Sequence, residues 1–316
     1  MTEYFYNPII ENGPDPFVLR HADRYYYCYS TGAAIFVSSA DNIHHLSQNG
    51  REIWRPAPDK PYSKNLWAPE IHEIDGAWYL YVACDNGANE NHRMYVCKSD
   101  GGPDGNYSLV GKISDDADKW AIDGTVMQRG GRMYFVWSGW EGDVDENQNL
   151  YIAEMRSPTE IGSARVMLSA PQLAWERRGS GLTASGRLLP GVNEGPQILQ
   201  RGDTVHIVYS AAGSWCRHYC LGMLTLRGGD PLDAENWIKS QSPVFVENEG
   251  THGPGHCSFT TAPDGTDFIV YHARRDEKGG WAGRGMRAQP FTWDGDMPRF
   301  GAAAKPTDRI EIASAE

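Results

Sequence analysis

The 316-residue sequence predicts an all-β fold, a five-bladed β-propeller forming a single domain over 1–316. Three observations predict it. Gly 35, Trp 11 and Tyr 16 are a composition suited to tight turns between half-buried, aromatic-rich strands. No long amphipathic helical pattern occurs, and "DPLDAENWIKS" (Asp230 to Ser240) supports at most a turn or two. Above all, one hairpin layout recurs five times along the chain.

The copies run in order. "GPDPFVLRHADRYYYCYSTG" begins at Gly13, "WAPEIHEIDGAWYLYVACD" at Trp67 and "WAIDGTVMQRGGRMYFVWSG" at Trp120. "VNEGPQILQRGDTVHIVYSA" begins at Val192 and "GPGHCSFTTAPDGTDFIVYHA" at Gly253. Each starts at a polar residue flanked by small residues or proline, passes through a short strand, turns, and returns as an aromatic and aliphatic strand. The turn pairs Ala22-Asp23, Asp75-Gly76, Gly130-Gly131, Gly202-Asp203 and Asp264-Gly265 suit tight hairpins. The leading polar residues Asp15, Glu70, Asp123, Glu194 and His256 are spaced by about 55, 53, 71 and 62 positions, the length of a four-stranded blade with insertions. Segments such as "AAIFVSS", "HRMYVCKS" and "NLYIAEM" supply the outer strands. Trp78 and Trp137, inside second strands, read as core.

A formal charge of −12 without a Lys/Arg run argues against nucleic acid and anionic membrane as partners, while aromatic side chains suit stacking on a neutral sugar. "MTEYFYNPII" lacks a basic segment followed by an apolar run, and no stretch approaches about 20 apolar residues, so the expectation is a cytoplasmic protein unless a leader was removed. The six cysteines read as ordinary thiols, because Cys216 and Cys220, the one close pair, have no further ligands at zinc spacing. Nothing in the sequence reports oligomeric state.

In a propeller the inner strand of every blade runs along the central axis, so equivalent residues face one funnel. Asp15, Asp123, Glu194 and His256 are then expected to meet at one end of the channel. Three acids in an aromatic-rimmed pocket match the needs of glycoside hydrolysis, which requires a protonated acid beside the leaving oxygen and an ionised carboxylate across the ring. Glu70, flanked by Pro69 and by Trp67 further upstream, reads as a residue that shapes the pocket.

These residues also carry a family likeness. Through "DPF", "WAPEIH", "WAIDGTV", "VNEGPQIL", "YSAAGSW", "GPGHCSF" and "RGMRAQPFTW", from Asp15 to Trp293, the chain resembles glycoside hydrolase family 43, the five-bladed arabinofuranosidases and xylosidases. The resemblance implies an inverting reaction with Asp15 as general base, Glu194 as general acid, and Asp123 orienting that acid and raising its pKa. Inversion implies carboxylates of Asp15 and Glu194 roughly 6.5–9.5 Å apart. It further implies a water-coordinated ion, often calcium, facing His256, and an arginine reaching the sugar hydroxyls. Cys257 departs from the small polar residue common after that histidine. Arg284 and Arg287 both lie in the arginine's segment, and Arg284 keeps the better spacing to Trp293. Trp67, Trp140 and Trp215 adjoin blade-edge motifs and are candidates to stack on a sugar. The expected activity is exo-acting α-L-arabinofuranosidase on arabinan or arabino-oligosaccharides, a pentose-containing substrate. A β-xylosidase and a non-catalytic carbohydrate-binding propeller are the alternatives.

Overall fold

In the computed structural model, residues 2–313 are described apart from 183–185, 187 and 279. Five antiparallel blades follow one another along the chain, the third and fourth joined by a short parallel pairing of Asn147 and Gln148 with Gly191 and Val192. Blade one orders Phe17–His21, Arg24–Ser30, Ile35–Ala40 and Arg51–Trp54 from inside to outside. Blade two orders Lys64–Ile74, Ala77–Asp85, Arg93–Ser99 and Tyr107–Lys112. Blade three begins with Ala121–Arg129, Arg132–Gly139 and Asn147–Ser157, and blade four runs Gly191–Arg201, Thr204–Ala211, Cys220–Leu226, Trp237–Lys239. Blade five has three strands, His252–Thr261, Asp267–Arg274 and Gly285–Pro290. Each inner strand contacts the next and the fifth contacts the first, so the ring is closed. No α-helix occurs among the described residues, and no helix is long and apolar enough to cross a membrane.

Local sequence explains the hairpins. At Ala22-Asp23, Asp75-Gly76 and Gly130-Gly131 both turn residues have positive φ, the conformation whose twist matches two flanking strands. The N-terminus completes blade five in place of a fourth strand. Ile10 bridges Met286, and the Asn7 amide imitates a strand residue by donating to Ala288 O at 2.9 Å and accepting from Ala288 N–H at 3.0 Å. Thr2–Phe5 pairs with Ile310–Ala313, bringing the two ends of the described chain together.

Apolar burial is divided among wedges rather than gathered in one centre. Blades one and two close on Cys28, Trp54, Leu80 and Cys97; two and three on Tyr81, Phe135 and Trp137; three and four on Val136, Ile152, Ile207 and Leu224. Val208, Tyr271 and Phe300 fill the fourth wedge, and Tyr25, Val270 and Met286 fill the fifth, with the terminal strands. This is why the second strand of every repeat is apolar on both faces: it meets a neighbouring blade on each side. Trp78 and Trp137 are buried there as expected.

The inner strands share a further feature. In blades two to five the pairing slips by one residue, between Trp67 and Glu70, Ile122 and Thr125, Glu194 and Gln197, and Gly255 and Ser258. Within these bulges Ala68, Asp123, Gly195 and His256 have φ of 40°, 55°, 55° and 46°, and Asp15 has 51° at the entrance to blade one. Left-handed backbone at non-glycine residues costs on the order of 1–3 kcal/mol and persists where surrounding structure enforces it. The expectation of one equivalent position for all five leading residues is therefore corrected. Asp15, Asp123 and His256 share it; Glu194 lies one residue before it and Glu70 two after, offsets that the approximate repeat spacing does not resolve.

Candidate active site

The bulges turn side chains into the hub, and they divide into two groups. On one side is Asp15. Its Oδ1 lies 3.0 Å from Arg284 Nη1, 3.3 Å from His272 Nδ1 and 3.4 Å from His256 Nδ1. Its backbone N–H donates to His272 Nδ1 at 3.1 Å. Burial opposes ionisation of Asp15, but the Arg284 guanidinium first, and His256 after it, outweigh it and hold its pKa well below the usual carboxylate range. Burial also pushes His272 down to about 4, so that ring is neutral at ordinary pH and free to accept the Asp15 N–H.

On the other side are Glu194 and Asp123. Glu194 is buried, its Oε1 accepts from Tyr219 Oη–H at 2.8 Å, and burial, reinforced by the Asp15 charge, raises its pKa to about 7. Asp123 is likewise buried and accepts from the Gly195 N–H at 3.0 Å through Oδ2. Burial, then the neighbouring Glu194 and Asp15 charges, push it well above the carboxylate range. Two buried carboxyls in mutual repulsion cannot both ionise readily, so the pair retains a proton. The Gly195 N–H favours charge on Asp123 and the Tyr219 hydroxyl favours charge on Glu194, so the retained proton belongs to the pair.

Three further residues were missed by sequence reasoning. Tyr219 and His272 stack at 5.6 Å with planes 5° apart, joining the partner of Glu194 to the partner of Asp15. Neither stood out because each is one aromatic residue in an otherwise ordinary run. Trp281 is 59 % exposed beside Trp215, edge to face at 5.9 Å, and its Nε1 donates to Ser214 Oγ at 3.2 Å. Its position in "GGWAGRG" was a usable signal, since a tryptophan among glycines has little of its own chain to pack against.

The other expected residues separate. Arg284 reaches Asp15, whereas Arg287 is fully buried in blade five. Trp67 is 38 % exposed at the rim, stacked on His92 at 3.9 Å. Trp215 is half-buried and tied to Gly179 O through Nε1 at 3.1 Å. Trp140 is only 4 % exposed, flat against Trp120 at 4.9 Å in the wedge between blades two and three, so it offers little surface to a sugar. Glu70 bridges blades: Gln197 Nε2 donates to its Oε1, and its Oε2 lies 2.8 Å from His72 Nε2. All six cysteines are free, in keeping with the thiol reading.

His256 reaches the hub but brings a single nitrogen. Among the described residues the one group of three side chains placed to ligate a metal is Glu3, His44 and His45, beside the terminal strands. Calcium takes 6–8 oxygen ligands. An ion at His256 would therefore have to be carried by water.

A closed ring of five blades, with one carboxylate kept ionised and another kept protonated at its centre, defines the class of carbohydrate-cleaving propellers. The chain belongs to glycosyl hydrolases family 43, whose model matches residues 5–298. It is 34% identical over 314 residues to the extracellular exo-alpha-(1->5)-L-arabinofuranosidase of Streptomyces avermitilis, covering 94% of this chain and 63% of that protein. The protein of the same name from Streptomyces chartreusis is 34% identical over 281 residues, covering 85% of this chain and 82% of the relative. The crystal structure of alpha-L-arabinofuranosidase from Lactobacillus brevis superposes with a TM-score of 0.87 at 33% identity, covering 96% of this chain and 98% of that one. The chain thus spans under two thirds of the S. avermitilis relative's length. The cytoplasmic expectation is overturned: both Streptomyces relatives are named as extracellular, and the start of a sequence does not decide its compartment.

Proposed function

We propose that this chain is a catalytic propeller in one domain, acting as an inverting, exo-acting α-L-arabinofuranosidase on arabinan or arabino-oligosaccharides. The observation that carries the reading is the opposite protonation of two carboxylates at one hub, Asp15 held ionised and Glu194 raised to about 7. Asp15 takes a proton from water as its oxygen attacks the anomeric carbon. Glu194 gives its proton to the departing glycosidic oxygen as that bond breaks. Asp123 orients Glu194 and, when ionised, raises its pKa. Arg284 binds sugar hydroxyls as well as Asp15, and Trp67 and Trp215 flank the bound sugar. A water-held ion near His256 belongs to the same proposal, with no step assigned to it. The names of the relatives support arabinose over xylose, and by the same names this protein acts outside the cell.

Proton NMR of the products from a defined α-1,5-arabino-oligosaccharide tests this. The expected first product is β-arabinose released from one chain end. α-Arabinose appearing first, internal cleavage, or xylose release from xylo-oligosaccharides at a greater rate would each overturn part of the reading.

A further inference from the structure

Glu176 is fully buried in the segment that joins blade three to blade four, and the catalytic reading gives it no part. Its two oxygens nevertheless receive five donors. Lys239 Nζ lies 2.7 Å from Oε1, which also accepts from Tyr209 Oη–H at 2.9 Å and from Asn193 Nδ2 at 3.1 Å. Oε2 accepts from the backbone N–H groups of Gln172 and Leu173 at 3.0 and 2.8 Å, and from Lys239 Nζ at 2.9 Å. A carboxylate presents acceptors alone, so it suits such a set where an amide would not.

Two of those donors stand beside the hub. Asn193 immediately precedes Glu194 in blade four's inner strand, and Tyr209 immediately precedes Ser210, the residue that pairs with Glu194 across the hairpin. Successive side chains of a strand leave from opposite faces, so an amide gripped on one face fixes the peptide from which Glu194 leaves on the other, toward Tyr219. The grip on Asn193 is complete. Its second Nδ2 hydrogen goes to Val192 O at 2.9 Å, its Oδ1 accepts from Ser169 Oγ–H at 2.7 Å, and its backbone O accepts from Ser138 Oγ–H at 2.8 Å. Exchanging the amide oxygen and nitrogen would set acceptor against acceptor at Glu176.

We propose that Glu176, paired with Lys239, is a positioning residue for the reaction: by holding Asn193 and Tyr209 it aims the Glu194 carboxyl at the departing glycosidic oxygen. The inference rests on the reading of Glu194 as general acid. Proton delivery requires a donor within hydrogen-bond reach of the leaving oxygen, and a displacement of about 1 Å costs on the order of 10²-fold. Water activation at Asp15 draws on blades one and five and does not depend on this anchor.

Leaving-group dependence separates positioning from general damage. Glu176→Gln, which turns an N–H toward donors, is expected to lose roughly 10–100-fold in kcat on an arabino-oligosaccharide, with KM changed less than about threefold. On an aryl arabinofuranoside whose leaving group needs no proton, the loss is under about threefold. Asn193→Ala cuts the link while leaving the Glu176–Lys239 pair in place, gives the same pattern, and serves if the Glu176 variant does not fold. Added to Glu194→Ala, either substitution costs under about threefold more on the aryl substrate, because the acid it aims is gone; structural damage would multiply instead. Glu194→Ala by itself is measured alongside. Should it lose equally on both substrates, the hydrolase reading falls and this inference with it. Should it show the dependence while the Glu176 and Asn193 variants lose equally on both substrates, or on neither, the positioning role alone is overturned.

Discussion

The two halves of the hub contain the same chemical group and treat it in opposite ways. Around Asp15, blades one and five bring a guanidinium and two imidazoles, and the carboxylate stays charged despite burial. Around Glu194, blades three and four bring a phenol and a second carboxyl, and the acid keeps its proton to about pH 7. Burial alone would raise both. What separates the two carboxyls is the sign of the nearest charges, and those come from other blades.

The strongest way to break this contrast is to delete each acid and vary the leaving group. Glu194→Ala is expected to lose roughly 10²–10⁴-fold in kcat/KM on an arabino-oligosaccharide, but under about tenfold on an aryl arabinofuranoside whose leaving group needs no proton. Asp15→Ala is expected to lose about equally on both, because water must be activated in either case. Equal losses for the Glu194 variant would end its assignment as the acid.

A smaller effect sharpens the contrast through pH. Arg284 lowers the Asp15 pKa and the Tyr219 hydroxyl lowers that of Glu194. Arg284→Met is therefore expected to move the acidic limb of the kcat/KM profile to higher pH, narrowing activity from that side. Tyr219→Phe is expected to move the alkaline limb upward from about 7, widening it, with a loss of roughly tenfold or less. Arg284 also lowers the Glu194 pKa, so its loss raises the alkaline limb as well; an acidic limb unmoved by Arg284→Met, or an alkaline limb unmoved by Tyr219→Phe, would end the corresponding role.

The smallest effect is on stability. A folded-state pKa raised from 4.5 to about 7 means the Glu194 carboxyl favours folding below its ordinary pKa and ceases to as pH rises through about 7. Glu194→Gln, which cannot ionise, is expected to gain Tm relative to the parent between pH 5 and 8 (roughly a few degrees). A parallel course for the two proteins would mean Glu194 is not held protonated.

Much of this was legible beforehand because the governing forces are local. Turn pairs that tolerate positive φ, such as Asp75-Gly76, and strands apolar on both faces are written in consecutive residues. So are the polar residues at the bulges, and Asp15, Asp123 and Glu194 could be singled out by recurrence. Trp140 shows where recurrence fails: it stands beside a hub motif in sequence, but its ring packs into a wedge instead of the funnel. Glu70 and Glu194 show the same at finer scale, since they stand two residues after and one residue before the bulge position that Asp123 holds.

The amino-acid order by itself determined the repeat, the ring and the identity of the three acids, since hairpin turns and strand alternation are short-range physics. Only the tertiary structure decided which acid is charged and which is not. Asp15 meets His272 and Arg284 across 257 and 269 positions, and Glu194 meets Tyr219 across a strand and a loop. A protonation state is set by the charges and hydrogen bonds within a few ångströms, and the neighbours of Asp15 meet it only when the fifth blade closes against the first.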